Sequence, residues 1–189
     1  YNLILYFFIL EDKASLYFSL LCLGVALYEI GQYYLITNIL DINFYFSECK
    51  MIYIGLYTAM PMLTQYLTQL FPGNWYKKFS FLYLIMFNVL LIITVLTPYY
   101  IYSKTLNLFS FLALIGIILS IILISINLKS RGTAKVLIFS FIIVFITAIQ
   151  NILEGMGVIQ LGVYLVSYGI LFLILCNALI ITKRNANSY

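Results

Sequence analysis

Histidine is absent from all 189 residues, and with it the commonest general base and the commonest metal ligand. Charge is scarce: only 8% of the residues are Asp, Glu, Lys or Arg, where a soluble domain has about 25%. The three cysteines, Cys22, Cys49 and Cys176, are far apart and two lie inside apolar runs. They have neither metal-ligand spacing nor a disulfide framework, and read as small packing residues. No lysine sits in the middle of an apolar run, so a retinal Schiff base has no candidate. No Gly-rich phosphate loop is present, and without histidine no Ser/His/Asp set can be assembled. The expectation is therefore no catalytic residues, no metal ligands and no cofactor. The three prolines, Pro61, Pro72 and Pro98, leave most of the chain free to be helical.

What is present is apolar surface. Hydrophobic residues make up 65% of the chain, including 18 tyrosines and 15 phenylalanines. A core of this size cannot hide that much apolar surface, so the solvent must be lipid. The net charge of +4 comes from ten basic residues spread thinly between apolar runs. They form no basic face, and nucleic acid is discounted as a partner.

The first thirty residues set the pattern. The apolar run Tyr1–Leu10 meets a polar turn, Glu11–Ser15, and a second apolar run starts at Leu16. As a helix Tyr1–Leu10 reaches only about 15 Å, half a hydrocarbon core. Either the first helix is incomplete or the segment is cut from a longer protein. A signal peptide is a poor reading, since no basic n-region or small-residue cleavage site is visible.

Further spans follow in order: Leu16–Leu40, Met51–Phe71, Phe79–Leu96, Leu106–Leu128, Val136–Leu153 and Val158–Thr182. Pro61 lies near the middle of the third span and is expected to kink it. The connections are Asp41–Lys50, the turn Trp75–Lys78 after Pro72, Thr97–Thr105, Lys129–Lys135 and Glu154–Gly157. They are short, so neighbouring helices should pack antiparallel. The expected fold is all-α, a polytopic membrane bundle of seven transmembrane helices with the first truncated, forming one domain over residues 1–189.

Charge orients the bundle. Lys13, Lys77, Lys78, Lys129, Arg131, Lys135, Lys183 and Arg184 fall on one side; Lys50 and Lys104 fall on the other. The positive-inside rule makes the first side cytoplasmic. The N-terminus is then outside and the C-terminus inside.

Glu29 is the only acidic side chain well inside an apolar run, and a carboxylate at membrane depth is expensive. It falls in the outer half, near Gln32 and Tyr33. Gln150, Asn151, Gln160 and Tyr164 lie at the outer ends of the last two spans. These seven are the candidate ligand-binding residues of an outward-facing polar pocket. The alternative is that Glu29 is protonated or bonded to a neighbouring helix and only holds the bundle together. No second carboxylate or intramembrane lysine pairs with it, so a proton or ion relay lacks its other half. Gln65, Gln69, Asn88 and Asn177 read as interhelical hydrogen-bonding residues. Gly24 and Gly31, and Gly162, Gly169 and Cys176, repeat at intervals of seven. Such stripes of small residues let helix backbones approach. Tyr99, Tyr100, Tyr102, Trp75 and Tyr76 sit where interfacial anchors belong.

Tyr1-Asn2-Leu3-Ile4-Leu5-Tyr6, then Glu11-Asp12-Lys13, then Leu16-Tyr17-Phe18 resembles the start of the membrane domain of bacterial seven-transmembrane receptors with diverse intracellular signalling modules. Leu161-Gly162, the run to Ala178-Leu179 and the closing Lys183-Arg184 resemble that family's last helix. The family's acidic residue early in this helix is replaced by Val166 and Ser167, and its closing Asp-Arg by Ile181-Thr182 before Lys183-Arg184. The middle spans match in number and spacing only.

The resemblance implies a transmembrane module of a receptor in the bacterial inner membrane. It would relay an extracytoplasmic stimulus, a small molecule or a domain-borne signal, between a covalently linked extracytoplasmic domain before the first helix and a covalently linked cytoplasmic output domain after the last. A homodimer is among the assemblies it allows. A small-solute or ion transporter, with Glu29, Gln65, Asn88 and Gln150 along a path, is the competing expectation. Against it stand the lack of an inverted repeat and of matched broken helices. A structural anchor for other domains is a third.

Overall fold

A computed structural model of the chain describes residues 13–33, 45–71, 73–127, 132–155 and 165–186. Among these, every regular element is helical: α1 Lys13–Gln32, α2 Tyr45–Leu70, α3 Asn74–Leu96, the one-turn α4 Tyr99–Tyr102, α5 Thr105–Ile126, α6 Gly132–Gly155 and α7 Leu165–Ala186. The six long helices correspond to the expected spans from Leu16 onward. The first span, Tyr1–Leu10, lies outside the described residues. Three helices, α1, α3 and α5, are long and apolar enough to cross a membrane; α6 and α7 contain shorter apolar stretches, Lys135–Gln150 and Ser167–Ile180.

Several helices start before the expected positions. Lys13–Ser15, expected in a turn, belong to α1; Tyr45–Lys50 open α2; Trp75–Lys78 form the first turn of α3; Gly132–Lys135 open α6. Near a membrane surface the helix is the structure that satisfies backbone groups internally, and it extends into polar sequence where nothing stops it. The stop signals do act. Gly73, with extended backbone, precedes α3, and Thr97 ends it with its amide on the Ile93 carbonyl at 3.0 Å.

The chain divides into two compact units, residues 1–113 and 114–189. In the first, α2 is the central helix. It packs on α1 through Phe18 against Tyr66 and Gly24 against Ala59, and Gly55 meets Tyr28. It packs on α3 through Thr64 against Ser80 and Tyr57 against Phe87. Both pairings run in opposite chain directions, as short connections require. In the second unit α6 and α7 pair antiparallel, with Phe139 against Phe172 and Thr147 against Gly169.

α3 shows why lipid is the solvent. Tyr76, Ser80, Tyr83, Phe87, Leu90 and Thr94 are buried at intervals of three and four, one face of a 3.6-residue period. The opposite face exposes Phe81, Leu82, Ile85, Met86, Val89, Ile92 and Val95. Hydroxyl-bearing and aromatic residues thus point inward, and mostly aliphatic ones point outward. In water an aliphatic face of this length would be turned inward.

Candidate functional site

α2 is the most polar of the long helices in the first unit, and it is buried on nearly every side because the neighbours take up its polar groups. Tyr53 and Tyr57 meet Tyr83, Phe87, Tyr102 and Phe109 in a cluster of rings. Tyr53 stands edge-on to Tyr102 at 4.9 Å between centroids; Tyr83 and Phe87 are 4.5 Å apart. Ring edges carry positive and ring faces negative charge, which favours such tilted and edge-on pairs. The phenols find partners at the rim. Tyr57 Oη and Thr105 Oγ1 share a hydrogen bond of 2.6 Å, and Tyr83 Oη donates to the Leu112 carbonyl at 3.0 Å. Lys50 extends Nζ to the Val95 carbonyl at 3.2 Å, near the C-terminus of α3, where a cation is favoured.

Toward the other end of α2 the contacts change to a polar seam. Ser80 Oγ donates to Thr64 Oγ1 at 3.1 Å, Thr64 Oγ1 donates to the Pro61 carbonyl at 2.9 Å, and Gln65 Nε2 donates to the Ser80 carbonyl at 3.2 Å. Gln65 therefore joins two helices, as expected. Three other polar residues do not. Gln69 is exposed and, among the described residues, reaches Thr68 Oγ1 of its own helix at 3.4 Å. Asn88 is exposed and returns its amide to the Leu84 carbonyl of its own helix at 2.9 Å. It follows Phe87, so it is turned about 100° from the buried stripe, and its amide must be satisfied locally. Asn177 is fully buried, yet its Nδ2 also bonds its own helix, at Leu173 O, and its Oδ1 accepts nothing among the described residues. The exposed Asn88 is also poorly placed for a transport path through the bundle.

The tyrosine anchors divide likewise. Tyr99 and Tyr100 are exposed, and Lys104 Nζ lies 4.1 Å from the Tyr100 ring centroid. Tyr102, at 0% exposure, is a core residue instead. Trp75 is exposed and Tyr76 is fully buried. Consecutive helical residues are turned about 100° apart, which lets Trp75 face outward while Tyr76 is buried.

The candidate ligand residues are divided between the two units. In the first, Glu29 and Gln32 are half-buried near the end of α1, and Tyr33 is exposed, its amide bonded to the Glu29 carbonyl at 3.1 Å. No hydrogen bond or ion pair reaches the Glu29 carboxylate among the described residues. In the second, Gln150 Nε2 donates to Glu154 Oε2, one turn along α6, at 2.7 Å. Asn151 belongs to the backbone of α6, with its side chain outside the described set; Gln160 and Tyr164 also lie outside the described residues. No group of His, Cys, Asp or Glu among the described residues has the placement of a metal site.

The bundle, the lipid-facing α3 and the buried polar α2 describe a membrane module without naming it. A family model described as 7TM diverse intracellular signalling matches residues 1–184. The chain belongs to this family. No curated protein and no solved structure matches it. The resemblance seen in the opening hairpin and the last helix is thereby borne out. As a 7TM diverse intracellular signalling domain, the chain is a sensory and transducing module that works in a lipid bilayer with linked signalling domains. The ring cluster and the Thr64–Ser80 seam had not been singled out in the sequence. Their signal was there: Tyr53 and Tyr57 are one turn apart, and Tyr76, Ser80, Tyr83, Phe87, Leu90 and Thr94 follow a helical period.

Proposed function

We propose that this chain senses an extracytoplasmic stimulus and relays it through the membrane to a cytoplasmic output domain joined after Tyr189. The family match over residues 1–184 carries the reading. The eight-to-two split of Lys and Arg supports its direction, N-terminus outside and C-terminus in the cytoplasm of a bacterial inner membrane. The catalytic step belongs to the output domain and not to the bundle. The proposed stimulus-facing residues are Glu29, Gln32 and Tyr33 on α1 and, in the other unit, Gln150, Asn151, Gln160 and Tyr164. Support for Glu29 comes from its half-buried carboxylate at the end of an apolar helix, which a purely structural role leaves unexplained. The signal is a small molecule or a folded domain on the outer side, and a homodimer is among the assemblies that would carry it.

The test is made in the full-length gene product. Truncation after Tyr189 should leave the protein in the membrane fraction and abolish its signalling output. Output that survives truncation refutes the relay. Replacing Glu29, Gln32 and Gln150 together should remove the response to stimulus while insertion is kept. An unchanged response would reduce the bundle to an anchor.

A further inference from the structure

We infer that Glu29 and Gln32 form a cation site in the outer half of α1, and that its ligand is an organic amine. Their outward placement rests on the function proposed above; the choice of ligand does not. The outer side is the acidic side of this chain. With the N-terminus outside, it carries four of the six acids, Glu29, Asp41, Glu48 and Glu154, but two of the ten bases, Lys50 and Lys104. The positive-inside rule accounts for the bases and not for the acids, which contribute little to orientation. Both outer bases are engaged elsewhere. Lys104 Nζ donates to Tyr100 Oη at 3.0 Å and lies 4.1 Å from the centroid of that ring. Lys50 Nζ donates to the Val95 carbonyl at 3.2 Å, one of the last carbonyls of α3, where a cation is favoured.

Helix phase keeps these cations from Glu29. Gly24 and Tyr28 face α2, beside Ala59 and Gly55. Glu29 is turned about 100° from Tyr28, and Gln32, three residues on, shares its flank of α1. Both are half-buried, and neither side chain hydrogen-bonds to a described residue. The antiparallel register that sets Gly24 beside Ala59 and Tyr28 beside Gly55 brings Lys50 level with Tyr33, one turn from Glu29. Lys50 precedes Gly55 by five residues, so it is turned about 140° from the face that meets α1. Its ammonium therefore goes to α3. Every other Lys and Arg falls on the inner side. A carboxylate at this depth is costly without a countercharge, and the chain supplies none on this side.

The oxygens present suit an ammonium better than a metal ion. Calcium takes about six to eight oxygen ligands, and Glu29 and Gln32 together supply at most half that number. No group of His, Cys, Asp or Glu among the described residues adds the rest. A primary ammonium needs acceptors only for its three N–H donors. A Glu29 carboxylate oxygen, the Gln32 amide oxygen and one water complete that set.

The test is calorimetric binding of phenethylamine to the full-length protein in nanodiscs of zwitterionic lipid, at fixed ionic strength and against empty nanodiscs. N-acetylphenethylamine, the same body without the charge, is the comparison. The amine should bind at least about tenfold more tightly than its acetylated form. Glu29→Gln should remove that preference, and Gln32→Ala should reduce it. Glu154→Gln and Lys50→Met should leave it in place. Equal binding of the two compounds to the unsubstituted protein overturns the site, and this comparison stands even where a variant does not fold. A preference that survives Glu29→Gln, or that Glu154→Gln removes equally, also overturns it. Amine binding that Lys50→Met strengthens about tenfold would make Lys50 the counter-ion of Glu29, and the site would fall. No signalling output enters these readouts. Binding without any response refutes the sensing role and keeps the site; a response without amine binding does the reverse.

Discussion

The two sides of α2 solve one problem in opposite ways. Toward α1, side chains are removed: Gly55 and Gly24 let the backbones meet, and a Cβ on Gly24 would lie 2.9 Å from Ala59 N. Toward α3 and α5, large side chains are added, and rings interlock at centroid distances of 4.5–6.3 Å. Lipid tails are as apolar as leucine, so burying apolar surface between helices yields little in a membrane. What remains is close van der Waals contact and satisfied polar groups. Glycine supplies contact by proximity. The ring cluster supplies it by shape, with phenol bonds at its edge. The first kind cannot tolerate one added carbon, and the second cannot tolerate a lost ring.

Removing a ring should do the most damage. Phe87 is at 0% exposure and lies within 6.3 Å of Tyr57, Tyr83 and Phe109 by centroid. Phe87→Ala should cost about 4 kcal/mol, read by reversible unfolding in mixed micelles. A loss under about 1 kcal/mol would mean that the cluster is loosely packed. Next comes the added carbon. Gly55→Ala should cost about 3 kcal/mol, because the atoms in the way are backbone and cannot rotate aside. If it proves neutral, the contact with α1 is not as close as the structure has it.

The second unit offers the milder version of the glycine contact. A Cβ on Gly169 would collide with Thr147, but with its side chain, chiefly Oγ1, and not with backbone. Thr147 Oγ1 donates to the Val144 carbonyl at 3.0 Å and can give that bond up. Gly169→Ala should therefore cost about 1 kcal/mol, and Thr147→Ala in the same protein should recover most of it. The equivalent rescue has no counterpart at Gly55. A Gly169→Ala loss that persists in the double variant would place the obstruction in the backbone after all.

Much of the fold was legible because lipid imposes few choices. Apolar runs and short polar connections gave six of the described helices, and the stripe of Gly24 was recognisable from its spacing to Gly31. Its partner was not, since Gly55 is a single glycine with no repeat to mark it. Helix ends were missed where polar residues such as Tyr45–Lys50 continue a helix instead of ending it. Rotation about the axis was the harder matter. Gln65 and Asn88 look alike in sequence, each a lone amide in an apolar run. Gln65 faces Ser80 across the interface, and Asn88 faces outward and folds onto its own backbone. Nothing local distinguishes them; the helical phase relative to Tyr83 and Phe87 does. The candidate site was less legible still. Cost at membrane depth singles out Glu29, but cost does not say what the carboxylate meets.

The smallest effect expected tests whether the phenol bonds matter beside the rings. Tyr57→Phe keeps the ring among Tyr53, Phe87 and Phe109 and removes only the 2.6 Å bond to Thr105. Thr105 is not orphaned by the change, because its hydroxyl also donates to the Tyr102 carbonyl at 2.5 Å. With no buried group left unsatisfied, the loss should be near the intramembrane average of roughly 0.6 kcal/mol. Measured in the same micelles as Phe87→Ala, it should be several-fold smaller. A Tyr57→Phe loss as large as that of Phe87→Ala would reverse the ranking. The Tyr53–Tyr57 end of α2 would then depend on its hydrogen bonds as well as its rings, and the contrast between its two neighbours would rest on polarity rather than shape.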